Sequence, residues 1–148
     1  MADKYDTVSV RMEADDIAAE QFELYCNNKN VEYGKYGLDN KIEKAYKLSR
    51  FVRNTPDYIV VNKDAFLVEV KGCKKYLGLK IKDVEQYKLW NQKMNLCYFF
   101  YSITYKEHKI VEHKNLMELT ATAEIKQYPD YNKYDDKLYY SIYWKSIQ

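Results

Sequence analysis

Residues 55–72 read TPDYIVVNKDAFLVEVKG, and the reading of this stretch decides the fold. Two apolar, β-branched runs, Tyr58–Val61 and Ala65–Val70, flank the turn-prone triplet Asn62-Lys63-Asp64, the pattern of a tight β-hairpin. With the turn centred on Lys63, Val61 faces Ala65, Ile59 faces Leu67 and Asp57 faces Glu69. Strand side chains alternate between faces, so Asp57, Glu69 and Lys71 share one face at the open end of the hairpin. The other face carries Tyr58, Val60, Phe66, Val68 and Val70. Both faces are apolar, so the hairpin is expected to be covered on both sides. The polar trio then stands in an apolar setting and requires a reason.

Two carboxylates directly opposite each other have β-carbons only ~4.5–5.5 Å apart, and like charges at that distance are destabilising unless neutralised. A divalent cation answers this. Oxygen ligands select Mg²⁺ or Mn²⁺ rather than zinc, and Mg²⁺ takes one or two carboxylates and fills its other positions with water and phosphate oxygens. Asp57 and Glu69 are the candidate ligands, the Val70 carbonyl is a further one, and Lys71 beside them can hold a water or a phosphate. Metal-assisted phosphodiester hydrolysis is the chemistry this arrangement suggests.

Pro56-Asp57, a gap, and then Glu69-Val70-Lys71 resemble the signature of the PD-(D/E)xK nuclease superfamily. The resemblance covers roughly residues 15–104 and is one of spacing and patterning. It implies an α/β fold with a restriction-endonuclease-like core, a mixed central β-sheet flanked by helices in the order α-β-β-β-α-β. It also implies DNA as the substrate, Mg²⁺ as the cofactor with Mn²⁺ able to substitute, and a homodimer or higher homo-oligomer, since cutting two strands needs two sites. Within the superfamily the chain looks most like compact Holliday-junction-resolvase-like and phage-type endonucleases. A small restriction or homing endonuclease is the nearest competitor.

Before the hairpin, residues 1–14 read as an arm or a short strand over Thr7–Met12. A helix is expected from Asp15, capped by Asp15 or Asp16, with Ile17, Leu24 and Tyr25 as its apolar stripe. Glu20 falls on that stripe, and a carboxylate there needs a reason. The resemblance supplies one, because a glutamate on the first core helix of these nucleases often helps to bind metal. A surface-edge glutamate is the plain alternative. Val31–Tyr36 reads as a strand, and Asn40–Val52 leans towards helix. Arg50 and Arg53 lie just before the Asp57 end of the hairpin, where they can meet a phosphate or simply sit on a solvated face.

After the hairpin, GCKKYLGLKIK reads as a loop whose Lys74, Lys75, Lys80 and Lys82 would attract a phosphate backbone. A second helix runs from Ile81 or Lys82 to Met94, with Val84, Tyr87, Trp90 and Met94 towards the core. RecB-like members of the superfamily carry a glutamine followed four residues later by a tyrosine on this helix. Gln86 matches the glutamine, and Trp90 stands in the tyrosine position. Leu96–Thr104 is a continuous apolar run and reads as a buried strand. In the extension, residues 105–148, a helix is expected over Asn115–Gln127 and a strand over Leu138–Trp144, placed at a sheet edge or against a second subunit.

Composition sets limits. With 148 residues the chain is expected to form one domain. Its 47% apolar and 31% charged residues are those of an ordinary globular protein, and a net charge of +2 does not by itself announce a nucleic-acid binder. Cys26, Cys73 and Cys97 have neither disulfide-framework nor zinc spacing, which fits a reducing cytoplasm. The first residues lack the basic and apolar regions of a leader, and no apolar run is long enough to span a bilayer. The 17 tyrosines, with many Lys and Asn, are what AT-rich coding gives and associate the chain with a phage, a virus or a low-GC bacterium. His108 and His113 lack a Cys or Ser partner and read as surface residues of a connecting segment. There is no phosphate-binding Gly loop and no nucleophile elbow.

The motif letters recur, because the acidic-x-Lys triplet also occurs at Asp39, Glu107, Glu112, Glu124 and Asp135, and Pro129-Asp130 repeats the first half. Only the Asp57/Glu69 copy has the register, face parity, apolar context and following helix and strand that the chemistry requires. Two other classes of reading remain at this point. One is a nuclease-fold module that holds nucleic acid without cutting it. The other is an assembly protein in which Asp57, Glu69 and Lys71 form a buried ion-pair cluster.

Overall fold

The computed structural model describes residues 8–37, 47–127 and 138–148. The hairpin is the centre of a five-stranded sheet. Its strands β1 (Glu32–Lys35), β2 (Tyr58–Val61), β3 (Ala65–Cys73), β5 (Leu96–Ser102) and β6 (Glu107–Glu112) lie in the order β1-β2-β3-β5-β6. β2 and β3 pair antiparallel with Val61 opposite Ala65 and Ile59 opposite Leu67, the register expected from a turn centred on Lys63. β3 and β5 run parallel, which requires a long crossover. That crossover holds β4 (Tyr76–Lys80) and α3 (Ile81–Lys93).

Each face of the hairpin is covered, as the apolar alternation demands. Tyr58, Val60, Val68, Val70 and Phe99 pack against Ala18, Phe22 and Cys26 of α1 (Val8–Asn28). Leu67, Leu96, Tyr98 and Phe100, on the opposite face, pack against Val84 and Tyr87 of α3, Leu116 of α4 (His113–Thr122) and a second sheet. This second sheet, of order β4-β8-β7 with β7 at Glu124–Gln127 and β8 at Leu138–Tyr143, is antiparallel throughout. A four-residue helix, α2 (Arg50–Arg53), is capped by the Ser49 hydroxyl, which accepts from the Val52 N–H. Among the described residues no helix is long and apolar enough to cross a membrane.

The core order α1, β1, β2, β3, α3, β5 is the expected one. Several other expectations are corrected. α1 begins at Val8, so residues 8–12 are helical rather than strand. Asp15 and Asp16 lie inside the helix, and Asp15 spends its carboxylate on β3 instead of on a cap. The helical stripe that meets the sheet is Ala14, Ala18, Phe22 and Cys26, whereas Leu24 is exposed. The segment after Cys73 is not a loop, because β4 finds its hydrogen-bonding partner in β8. The connecting segment with His108 is strand β6, paired with β5. The expected helix to Gln127 stops at Thr122, and its last residues become β7. Leu138–Tyr143 lies between β4 and β7 rather than at an edge. Of the helix expected over Asn40–Val52, residues 40–46 lie outside the described residues, as do Pro129-Asp130 and the Asp39 and Asp135 triplets.

Candidate active site

The site forms where β2 enters the sheet and β3 is about to leave it. Asp57 immediately precedes β2, and its backbone carbonyl accepts from the N–H groups of Tyr36 (2.9 Å) and Gly37 (3.2 Å) at the end of β1. Its side chain reaches across the hairpin, with Oδ2 accepting the Val70 N–H at 2.9 Å. Backbone and carboxylate are thus both fixed, one by each neighbouring strand. Glu69 lies on the face of β3 that looks towards α3, beside its register partner Tyr98 on β5, and is only 5% exposed.

Burial pushes the Glu69 carboxyl well above the usual carboxylate range. The Asp57 charge and a side-chain hydrogen bond with Asp57 push it further, Lys71 pulls it back, and Asp83 adds a smaller upward push. A proton on Glu69 or a cation between the two carboxylates would relieve the Asp57–Glu69 pair. Burial acts against the Lys71 ammonium, yet Glu69, Asp15, Asp57 and Asp83 around it together hold its titration above the ordinary lysine range. Lys71 is therefore charged. Two buried tyrosines, Tyr87 and Tyr98, with ring centroids 5.7 Å apart, wall the site beneath Glu69. Burial raises both phenols above their ordinary range, and the Glu69 charge adds the largest further push. Tyr98 Oη is 2.9 Å from His113 Nδ1, so His113 is tied to the wall of the site and is not a free surface residue.

The sequence reading missed Asp15. This residue of α1 accepts the Gly72 N–H through Oδ1 at 2.8 Å. Burial raises its carboxyl above the ordinary range, while Lys71 and the Gly72 N–H pull it down. Glu20 is exposed on a different face of α1, which corrects its placement on the core stripe. The available signal was the small-residue spacing of Ala14 and Ala18, which puts Asp15 rather than Glu20 beside the sheet. Gly72 explains the close approach, since a β-carbon there would collide with the Ala14 carbonyl. Asp83, in the first turn of α3, was also missed. Its position in the first turn of the helix that crosses back from β3 to β5, one turn before Tyr87, was the clue.

The remaining expected residues are less concentrated. Gln86 is half-buried on α3, on the same side of that helix as Asp83 and Trp90. Trp90 is structural. Its Nε1–H donates to the Phe51 carbonyl at 3.0 Å and its ring stacks on Phe51 with centroids 4.4 Å apart. Arg50 and Arg53 belong to α2, and Lys74 and Lys75 form the exposed turn between β3 and β4. Lys80 ends β4 and Lys82 opens α3, both half-buried. A cleft of about 710 Å³, lined by Phe22, Tyr25, Val60, Phe66 and Phe99, opens at the turn end of the hairpin, and none of the site carboxylates lines it.

No three carboxylate, imidazole or thiol groups among the described residues converge to enclose a cation. The donor set is the Asp57–Glu69 pair with the Val70 carbonyl beside it. Two carboxylates, one of them buried and driven towards protonation by the other, suit a hard cation that keeps water and phosphate in its remaining positions. They do not suit zinc.

No protein-family profile and no curated protein matches the sequence. Solved structures do. The Holliday junction resolvase Hjc of Archaeoglobus fulgidus superimposes with a TM-score of 0.50 at 12% identity, over 86% of this chain and 89% of that one. D212, a nuclease from a fusselovirus, superimposes with a TM-score of 0.51 at 13% identity, over 95% of this chain and 85% of that one. At such identity the likeness is one of fold. The chain shares with these two structures a restriction-endonuclease-like fold, a central mixed sheet flanked by helices.

Proposed function

We propose that this chain is a Mg²⁺-dependent endonuclease that hydrolyses phosphodiester bonds in DNA, of the structure-specific, junction-resolving type. One observation carries the reading. Asp57 reaches across to the Val70 N–H at 2.9 Å, so the first half of the motif touches the second. The fold shared with a junction resolvase over most of both chains supports the type of substrate.

Asp57 and Glu69 would hold the cation, with the Val70 carbonyl as a further ligand. A hard divalent cation there supplies Lewis-acid stabilisation of the charge that develops on the scissile phosphate. Lys71, charged in the folded chain, donates hydrogen bonds to the attacking water or to a phosphate oxygen. Asp15 holds β3 from the other side and helps to keep that ammonium in place. Gln86 orients a water or a phosphate from α3, and Glu20, exposed, is left without a catalytic part. Arg50, Arg53, Lys74, Lys75, Lys80 and Lys82 supply phosphate contacts that position the DNA. Two copies acting together would cut paired strands.

The test is cleavage of a labelled panel of four-way junction, duplex and single-stranded DNA with Mg²⁺ or Mn²⁺. The unsubstituted protein should cut the junction, and Asp57→Asn and Lys71→Met should each lower the rate at least about 100-fold, the order expected for removing one transition-state contact. DNA binding without any cutting would replace the reading by a binding module. Absence of both metal and DNA binding would reduce the trio to an ion-pair cluster.

A further inference from the structure

Apart from the phosphate contacts given to Lys75 and Lys80, the outer face of the second sheet has no part in the function above, yet it carries an exposed array of aromatic rings and lysines. Tyr76 of β4 and Tyr143 of β8 are register partners, 40% and 42% exposed, with ring centroids 5.3 Å apart and planes tilted by 46°. Tyr105, in the turn between β5 and β6, extends the array, its hydroxyl 3.4 Å from that of Tyr143. Cations stand over the rings. Lys145 Nζ is 4.3 Å from the Tyr105 centroid and Lys126 Nζ is 5.4 Å from that of Tyr76. Lys75 and Lys106, both exposed, adjoin Tyr76 and Tyr105 in the chain. Further along the same face the register row Lys80, Tyr139, Lys126 sets a buried tyrosine between two lysines.

Among the described residues, acidic groups are few here. Glu107, near Tyr105, already accepts a hydrogen bond from the Trp144 indole, and Glu124 is the one acid that the described strands of this sheet put on the outer face. Tyrosines clustered in the open cost solubility without stabilising the core, and the lysines over their faces mark positive potential where an anion is welcome.

We infer that this face binds an unpaired nucleic-acid strand, with bases stacking on Tyr76, Tyr143 and Tyr105 and phosphates paired with Lys75, Lys126 and Lys145. Stacking on tyrosine combined with flanking ammonium groups is how single strands are held without sequence preference. In the free protein the lysines occupy the ring faces. A phosphate draws each ammonium away and a base takes its place, because an exposed cation–π contact is weaker than base stacking. The track leads to the chemistry. Lys80 lies at the end of β4 opposite Tyr76, ~13 Å along the strand, and three residues before Asp83, whose charge acts on Glu69 and Lys71. The inference rests on the nuclease reading for its purpose and deepens it, since the preferred substrate then has a single-stranded arm or flap beside the cleavage point.

The experiment is fluorescence-anisotropy binding of a 20-nucleotide oligo-dT and of a 20-base-pair duplex to the whole chain in EDTA. The oligo-dT should bind more tightly than the duplex, and its affinity should fall as salt rises. Tyr76→Leu combined with Tyr143→Leu should weaken oligo-dT binding about tenfold or more, whereas Tyr76→Phe with Tyr143→Phe keeps it, since phenyl rings still stack. Lys145→Gln should flatten the salt dependence. An unchanged thermal midpoint verifies that each variant is folded, and the Phe and Gln variants decide the matter if the Leu variant is not. Equal affinity for both oligonucleotides, or Leu variants that bind like the parent, would overturn the inference. Cleavage of the junction by the unsubstituted protein with Mg²⁺ reports separately on the nuclease reading. Its failure alongside ring-dependent oligo-dT binding would leave this site standing without the catalysis.

Discussion

Asp15 Oδ1 accepts the Gly72 N–H at 2.8 Å, a bond that joins the first helix to the residue immediately after the site lysine. It exists because Gly72 has no β-carbon to strike the Ala14 carbonyl.

Gly72→Ala should therefore destabilise the protein by about 1–3 kcal/mol, the usual cost of forcing an extra methyl into a packed contact. The obstacle is backbone rather than a side chain that can swing away, so α1 must move. Urea denaturation should give a lower midpoint with an unchanged slope. A midpoint equal to that of the parent would mean that α1 is not seated as described.

Two substitutions at Asp15 separate its hydrogen bond from its charge. Asp15→Ala leaves the Gly72 N–H without its acceptor and should cost about 1–3 kcal/mol. Asp15→Asn retains an acceptor oxygen and removes a charge that burial disfavours, so its cost should be under about 1 kcal/mol. Equal losses from the two would show that the charge on Lys71, not the bond to Gly72, is what Asp15 serves.

Glu69 makes stability depend on pH in a particular direction. Its folded-state pKa lies well above the ordinary carboxylate value, so the folded chain binds this proton more tightly than the unfolded chain does. The associated stability is fully present below the unfolded pKa and is lost as pH rises through the folded one. Glu69→Gln should thus exceed the cation-free parent in stability at pH 7, since the amide has no charge to bury beside Asp57. Mg²⁺ should raise the melting temperature of the parent and not that of the variant. A cation-free parent that gains stability across this window as pH rises would contradict the assignment of Glu69.

Trp90 stands where RecB-like nucleases carry a tyrosine, but its hydrogen bond and its ring stack are with Phe51 of α2, beside an edge contact with Tyr36. Trp90→Phe should remove the bond to the Phe51 carbonyl at a cost of about 1 kcal/mol. Hydrogen exchange should quicken at the Arg53 and Asn54 N–H groups, which close α2 on Ser49 and Arg50, and stay unchanged in β3 and β5. If exchange in β3 quickens equally, Trp90 supports the central sheet rather than α2.

Sequence alone determined the central hairpin and its register. Alternation with period two and the chemistry of the Asn62-Lys63-Asp64 turn are local properties, and together they set Ile59 opposite Leu67 and brought Asp57 within reach of the Glu69–Val70 end of β3. The same local signals placed α3 and β5. Tertiary structure decided which face of α1 meets the sheet, because that helix carries apolar residues on more than one side and close approach is possible only where Ala14, Ala18 and Gly72 are small. That choice brought Asp15 to the site and left Glu20 in solvent. It also decided the second sheet. β6 and β7 are short and polar, with exposed side chains at most positions, so their own residues give little strand signal. They are strands because their partners, β5 in the central sheet and β8 in the second, supply the hydrogen bonds.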